Sequence, residues 1–214
     1  FSFGDALRIV RHRGRYMQAA VAVGRGAMAA ILGLEADLVA RACAEASQGD
    51  VVSPANLNGG GQVVIAGERD AVQRAGERAK RLGARGVIPL PVSAPFHCAL
   101  MKPAEERLAP ELRAARVRDP RIPIVANVDA EVKRTAASAI EALVRQVSSP
   151  VRWEAVVGRL ASEGVTTYVE VGPGAVLSGL VRKIHRGATS TSFAGPDDLA
   201  TIEATIKQSS TKYV

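Results

Sequence analysis

The stretch "GAMAAILGLEADLVARACAEASQGDVVSPANLNGGGQVVIAGERDAVQRAGERAKRLGARGVIPLPV", residues 26 to 92, decides the fold. "GAMAAILGL" is an apolar run of strand length, and "EADLVARACAEAS" follows it with apolar positions at helical spacing. "VVSPANLN" and "GQVVIAGE" read as two further strands. "RDAVQRAGERAKRLG" is a second helix ended by its glycine, and "ARGVIPLPV" is a last strand. The "NGGG" at 58 to 61 joins two strands, so a turn is expected there; a phosphate loop would open onto a helix instead.

The order βαββαβ is the ferredoxin-like plan. Small basic units of this plan include RNA-recognition modules, which stack bases on exposed aromatics of their central strands. "GQVVIAGE" offers no aromatic residue, which removes that reading.

On the amino-terminal side, Ser2-Phe3-Gly4-Asp5 has the form of a helix cap, with an acid three residues after the serine. Ala6, Ile9, Val10, Tyr16, Met17 and Ala20 then fall on one helical face, with Arg13 in its middle. Burying a guanidinium is costly unless an anion pairs with it. Two readings stay open: a structural salt bridge, or a clamp for a ligand carboxylate or phosphate, which the planar fork of arginine can hold bidentately. The first residue is Phe1, and the chain is expected to begin within a domain.

On the carboxy-terminal side the pattern changes to longer helices alternating with strands. Helices are predicted over about 99 to 115, 135 to 147 and 151 to 163, with "IPIVANV" a strand. "TTYVEVG" (strand), "GAVLSGLVRKIH" (helix), "STSFAG" (strand) and a helix from Pro196 follow. Alternation of this kind implies a mainly parallel sheet covered by helices. The expected class is therefore α/β, with residues 1–24 and 93–214 forming a larger domain and residues 25–92 an inserted subdomain.

Composition narrows the function. Of 214 residues, 47% are hydrophobic and 23% charged, which excludes a disordered chain. No apolar run approaches the roughly 20 residues of a membrane span, and no signal-peptide pattern is present, so a cytoplasmic protein is expected. Cys43 and Cys98 are too few for a disulfide scaffold and lack metal-ligand spacing. Lys and Arg outnumber Asp and Glu by 28 to 21, which favours an anionic partner. With 4% aromatics and no concentrated basic tract, that partner is not expected to be nucleic acid.

"VEVGPGAVLSG" superficially offers a dinucleotide loop, but Leu177 occupies the third glycine position and no acidic residue follows at the required distance. A tight strand-to-helix turn is the better reading. His12 and His185 lie in the Arg-rich segments "RHRGR" and "RKIHR" and are expected at the solvated surface. His97 differs, because Pro95 biases its predecessor away from helix and so puts the histidine in a strand-to-helix loop at the rim of a sheet. As a general base it would need a nucleophile and a group to orient its second ring nitrogen. Cys98 begins an apolar helix face with Met101 and reads as packing. No G-x-S-x-G elbow occurs, and Ser93, Ser148, Ser149 and Ser178 lack its strained setting.

Taken together, "HRGRYMQ", "GAMAAILGL", "VVSPANLNGGGQVVIAG", "LPVSAPFHCALMKPA", "IPIVANVDA", "ALVRQVSSPVRW" and "VEVGPGAVLSGLVRKI" resemble the malonyl-CoA:acyl-carrier-protein transacylases and related acyltransferase domains of fatty-acid and polyketide synthesis. The resemblance covers nearly the whole chain in the family's order. It implies transfer of malonyl from malonyl-CoA to the phosphopantetheine thiol of acyl carrier protein through a serine acyl-enzyme. No cofactor or metal is implied, nor any nucleic acid or membrane partner, and a monomer is expected. His97 matches the catalytic histidine, and Arg13 the arginine that pairs with the malonyl carboxylate. Gln146 matches the residue whose backbone carbonyl orients the histidine. Phe96 matches the phenylalanine that accompanies malonyl choice over methylmalonyl.

The sequence departs from that pattern at "NGGGQ", at "VAN" around Asn127, and in lacking the amino-terminal third with its "GHSxGE" nucleophile segment. The expectation is a chain without its own nucleophilic serine and inactive by itself, the alternative being a non-catalytic remnant that binds the carrier protein.

Overall fold

The side chain of Ser2 accepts from the Asp5 N–H, and this cap starts helix α1, Phe3–Ala19. In the computed structural model, which describes the backbone over residues 1–210 and side chains over 1–206, two compact units are distinguished, Phe1–Trp153 and the chain from Glu154 onward.

In the first unit, α1 is followed by β1 (Gly26–Leu32), α2 (Ala36–Ala46), β2 (Val52–Gly59), β3 (Gln62–Glu68), α3 (Arg69–Arg81) and β4 (Gly86–Pro89). The four strands form one antiparallel sheet in the order β2-β3-β1-β4. Successive strand residues face opposite ways. Ala29 and Ile31 of β1 and Val63 and Ile65 of β3 therefore pack with Val39, Cys43, Ala71 and Val72 of the helices. Met28, Ala30, Val64 and Ala66 point to the other face, where they meet Ala55 and Cys98. Both faces are covered, which is why these strands read as continuous apolar runs rather than alternating ones. Full burial of a side chain such as Ile31 or Ile65 contributes roughly 1.5–3 kcal/mol.

The glycines of "NGGG" make the β2–β3 turn: Gly59, Gly60 and Gly61 have φ of 78, 61 and 73°, values that side chains rarely adopt. The last strand is shorter than "ARGVIPLPV" suggests, because proline at 89 and 91 leaves no N–H to continue the ladder.

A short 3-10 turn, Ala99–Met101, leads into α4 (Lys102–Ala114). Helix α4 packs on α1 through Ile9, Met17, Leu108 and Leu112. Val10, expected on the apolar face of α1, is 66% exposed, so the buried stripe is narrower than its spacing implied. "IPIVANV" contributes only β5 (Ile124–Val125), paired antiparallel with β6 (Val132–Lys133). The chain reverses between them, with Ala130 at φ 58°. Helix α5 (Ala136–Gln146), capped by Thr135, and the start of α6 (Trp153–Ser162) follow.

In the second unit, β7 (Thr167–Val171), α7 (Val176–Ile184) and β8 (Thr189–Phe193) form a crossover with parallel strands, and a short 3-10 turn (Pro196–Asp198) precedes α8 (Leu199–Ser210). Among the described residues the β7–β8 pair is the one parallel pairing between named strands. The fold is α/β with mixed sheets. The mainly parallel sheet expected from alternation is thus limited to that pair, since alternation of strands and helices specifies order but not which strands pair. After "GPG", the Glu170 carboxylate accepts from the N–H groups of Leu177 and Ser178 at 3.1 and 2.8 Å, so the start of α7 is capped by the protein's own anion.

Candidate active site

The segment before α4 runs across the second face of the antiparallel sheet. At Gly26 a Cβ would fall 2.4 Å from the ring of Pro95, so β1 and the Pro95 turn approach as closely as glycine allows. Cys98 is buried, and its thiol donates to the Pro95 carbonyl at 3.1 Å. Between these anchors His97 adopts φ 62°, a left-handed conformation that costs a non-glycine residue about 1–3 kcal/mol. The burial of Pro95, Cys98 and Met101 holds it there.

The strain aims the imidazole at the end of α5. Nδ1 of His97 lies 3.2 Å from the backbone carbonyl oxygen of Gln146. A carbonyl accepts only, so Nδ1 carries the hydrogen and Nε2 is left as the basic nitrogen. Burial lowers the histidine's pKa from its ordinary 6.5; the Gln146 carbonyl opposes this, the positive charge of Arg13 adds to it, and the Ser149 backbone opposes it weakly. The ring is therefore neutral at pH 7, the state a general base requires.

Arg13 lies in the middle of α1, half-buried, and burial pulls its pKa down from 12.5. The guanidinium stays charged across the physiological range all the same. No hydrogen bond or ion pair to it is formed among the described residues, so of the two readings of this arginine the internal salt bridge is not realised. Its positive charge is among the influences that lower the His97 pKa. Phe96, next to His97, is partly buried against both the α1–α4 core and the second face of the sheet.

Cys98 is no partner for the histidine: burial pushes its thiol up to about 11, and Cys43 similarly to about 12. Among the described residues no serine hydroxyl hydrogen-bonds to the His97 ring, and no group of three or more His, Cys, Asp or Glu side chains could hold a metal ion. Among the described residues no helix is long and apolar enough to cross a membrane.

The other histidines correct the expectation of a solvated surface. Nδ1 of His12 stands 2.6 Å from Glu111 Oε2, while the Tyr16 hydroxyl donates to Glu111 Oε1. His185, at the end of α7, lies with Nδ1 3.1 Å from the Tyr168 hydroxyl. Both rings are only partly exposed, because each has a hydrogen-bond partner that its Arg-rich neighbours do not reveal.

Glu105, and the link it makes to Ser148, were not expected from the sequence. The Ser148 hydroxyl donates to the Glu105 carboxylate, which is 8% exposed. A signal was available: Glu105 precedes Leu108 and Ala109 by three and four residues and so shares their buried face.

Residues 1–204 match the family model described as "Acyl transferase domain". The malonyl CoA-acyl carrier protein transacylase of Escherichia coli K12 is 48% identical over 198 residues, which are 92% of this chain and 64% of that protein. The crystal structure of an acyl carrier protein S-malonyltransferase from Vibrio cholerae superposes with a TM-score of 0.91 at 46% identity, over 94% of this chain and 66% of that one. A malonyl-transacylase solved in complex with its type II polyketide acyl-carrier protein gives a TM-score of 0.91 at 45% identity, over 94% and 65% of the respective chains. This chain thus spans slightly less than two thirds of the length of the E. coli relative. With that match over residues 1–204, the chain belongs to the acyl transferase domain family.

Proposed function

We propose that this chain supplies the base and the carboxylate clamp of a malonyl transferase, moving malonyl from malonyl-CoA to the phosphopantetheine thiol of an acyl carrier protein for fatty-acid or polyketide synthesis. The observation that carries the reading is a neutral, carbonyl-oriented His97 together with a half-buried Arg13 that has no hydrogen-bond or ion-pair partner among the described residues. Partial burial of a cation away from any anion is costly, and a ligand carboxylate would relieve that cost.

The nucleophilic serine is supplied by the part of the fold that this chain does not span. Nε2 of His97 takes the serine proton as the oxygen bonds to the thioester carbonyl carbon, and returns it to the departing coenzyme A sulfur. In the second half-reaction the carrier thiol gives its proton to Nε2 as the sulfur attacks the serine ester, and the serine oxygen recovers that proton. Throughout, Gln146 holds Nδ1–H in one tautomer and Arg13 grips the free carboxylate with its planar fork. Phe96 bounds the acyl pocket and favours malonyl over a branched analogue.

In this reading residues 25–92 form a ferredoxin-like subdomain inserted in a larger α/β acyltransferase domain of a cytoplasmic, monomeric protein. The net charge of +7 suits an acidic carrier, chiefly by speeding encounter. No cofactor takes part.

The test is acyl transfer from labelled malonyl-CoA and acetyl-CoA in the complete protein. Arg13→Ala should suppress malonyl transfer while sparing acetyl; equal loss on both donors refutes the clamp. The present chain alone should acquire no stable acyl adduct, and one that survives denaturation would overturn the assignment of the nucleophile elsewhere.

A further inference from the structure

The segments carrying His97 and Gln146 share a core in which the fully buried Val147 packs with Met101 and Leu108, and Arg113 of α4 pairs with Glu141 of α5; at the site itself the two are joined by the His97–Gln146 hydrogen bond. A second link lies close by. Glu105, in the first turn of α4, faces the turn that follows α5. Its carboxylate receives the Ser148 hydroxyl on one oxygen and the Lys102 ammonium, at 2.5 Å, on the other. The histidine precedes α4 and the carbonyl ends α5, so both bonds tie together the same two segments. Farther along, Val151 is held to the edge of the sheet: its N–H donates to Ala55 O and its carbonyl accepts from Leu57 N–H, each at 2.8 Å.

A buried, hydrogen-bonded carboxylate adds little to stability over an apolar residue of similar size, and what it supplies is a fixed register. We propose that Glu105 is a positioning residue: through Ser148 it pins the 147–150 turn so that the Gln146 carbonyl stays on Nδ1 of His97. Core packing holds the helices together, while the Ser148–Glu105 bond is a polar contact on the turn itself, two residues from the Gln146 carbonyl. The kinetic consequence rests on the acyl-transfer reading; the structural consequence for the His97 ring does not.

The test follows the ¹⁵N imidazole resonances of His97 in the complete protein, alongside malonyl-transfer kinetics and thermal stability. Glu105→Ala should release the ring from its single Nδ1–H tautomer and lower kcat roughly 10- to 100-fold with little change in KM, since misplacing a catalytic group costs about that much. Glu105→Gln keeps an oxygen for the Ser148 hydroxyl and should restore most of both signals. Should Glu105→Ala fold poorly, Ser148→Ala breaks the same link from a half-buried turn and should reproduce the ring's release. Unchanged His97 resonances in folded Glu105→Ala or Ser148→Ala overturn the proposal. If the ring is released but the parent protein transfers no malonyl, the latch stands and the malonyl reading falls.

Discussion

Nδ1 of His97 and the carbonyl oxygen of Gln146, 49 residues apart in the chain, lie 3.2 Å from each other. That contact selects one tautomer of a partly buried imidazole and leaves its other nitrogen basic.

The pH dependence of acylation should reflect a histidine that loses its proton early. Because burial and Arg13 both lower the His97 pKa from 6.5, the acidic limb of kcat/KM should inflect below that pH. Arg13→Gln removes one of those influences and should move the inflection upward. The same shift has a stability consequence: the buried neutral ring favours folding fully above pH 6.5, and that contribution is lost as pH falls through the depressed folded-state value. An inflection that stays in place in Arg13→Gln would separate the two side chains electrostatically.

Exchange of the histidine should divide fold from chemistry. Asparagine tolerates the left-handed conformation better than most residues, so His97→Asn should keep the native fold while abolishing transfer. Circular dichroism and a thermal melt beside the transfer assay check both halves. Loss of the fold in His97→Asn, with His97→Gly also unfolded, would mean the imidazole is structural.

Gly26→Ala should injure a site it does not enter. Its Cβ would fall 2.4 Å from the Pro95 ring, so the turn carrying His97 must shift or β1 must yield. Reduced kcat with a displaced His97 resonance is expected, and unchanged kinetics would show that the sheet absorbs the methyl group.

The Glu111 clasp joins α1 to α4 through Tyr16 and His12. Those hydrogen bonds, Tyr16 first, hold the Glu111 carboxyl below its ordinary 4.5. A depressed carboxylate contributes stability that is present above pH 4.5 and disappears as pH falls through the folded-state value. Glu111→Gln should therefore be less stable than the parent at neutral pH, with the gap narrowing below pH 4.5. Denaturant titrations at both pH values measure it, and a gap of constant size would argue against the clasp.

What was legible in the sequence was local. The strands and helices over residues 26–92 follow from apolar periodicity, and the cap at Ser2 from one serine and one acid placed three residues apart. The turn at "NGGG" needs three residues of positive φ, which glycine alone meets easily. Cys98 was identifiable as packing because it begins an apolar face. These are short-range matters, in which steric preference and side-chain spacing act within a few residues.

Tertiary structure decided the partners. Nothing near Arg13 in sequence says that it meets no carboxylate among the described residues, and nothing near His12 says that it finds Glu111, 99 residues away. Proline and a chain reversal cut "IPIVANV" to two paired residues, and strand order came from packing rather than from alternation. The buried Glu105–Ser148 link joins residues 43 apart. The physical reason is the same in each case. A hydrogen bond or ion pair reaches only about 3 Å, so it depends on how whole elements pack. A residue's own neighbours in the chain carry no record of which distant group that packing brings within reach.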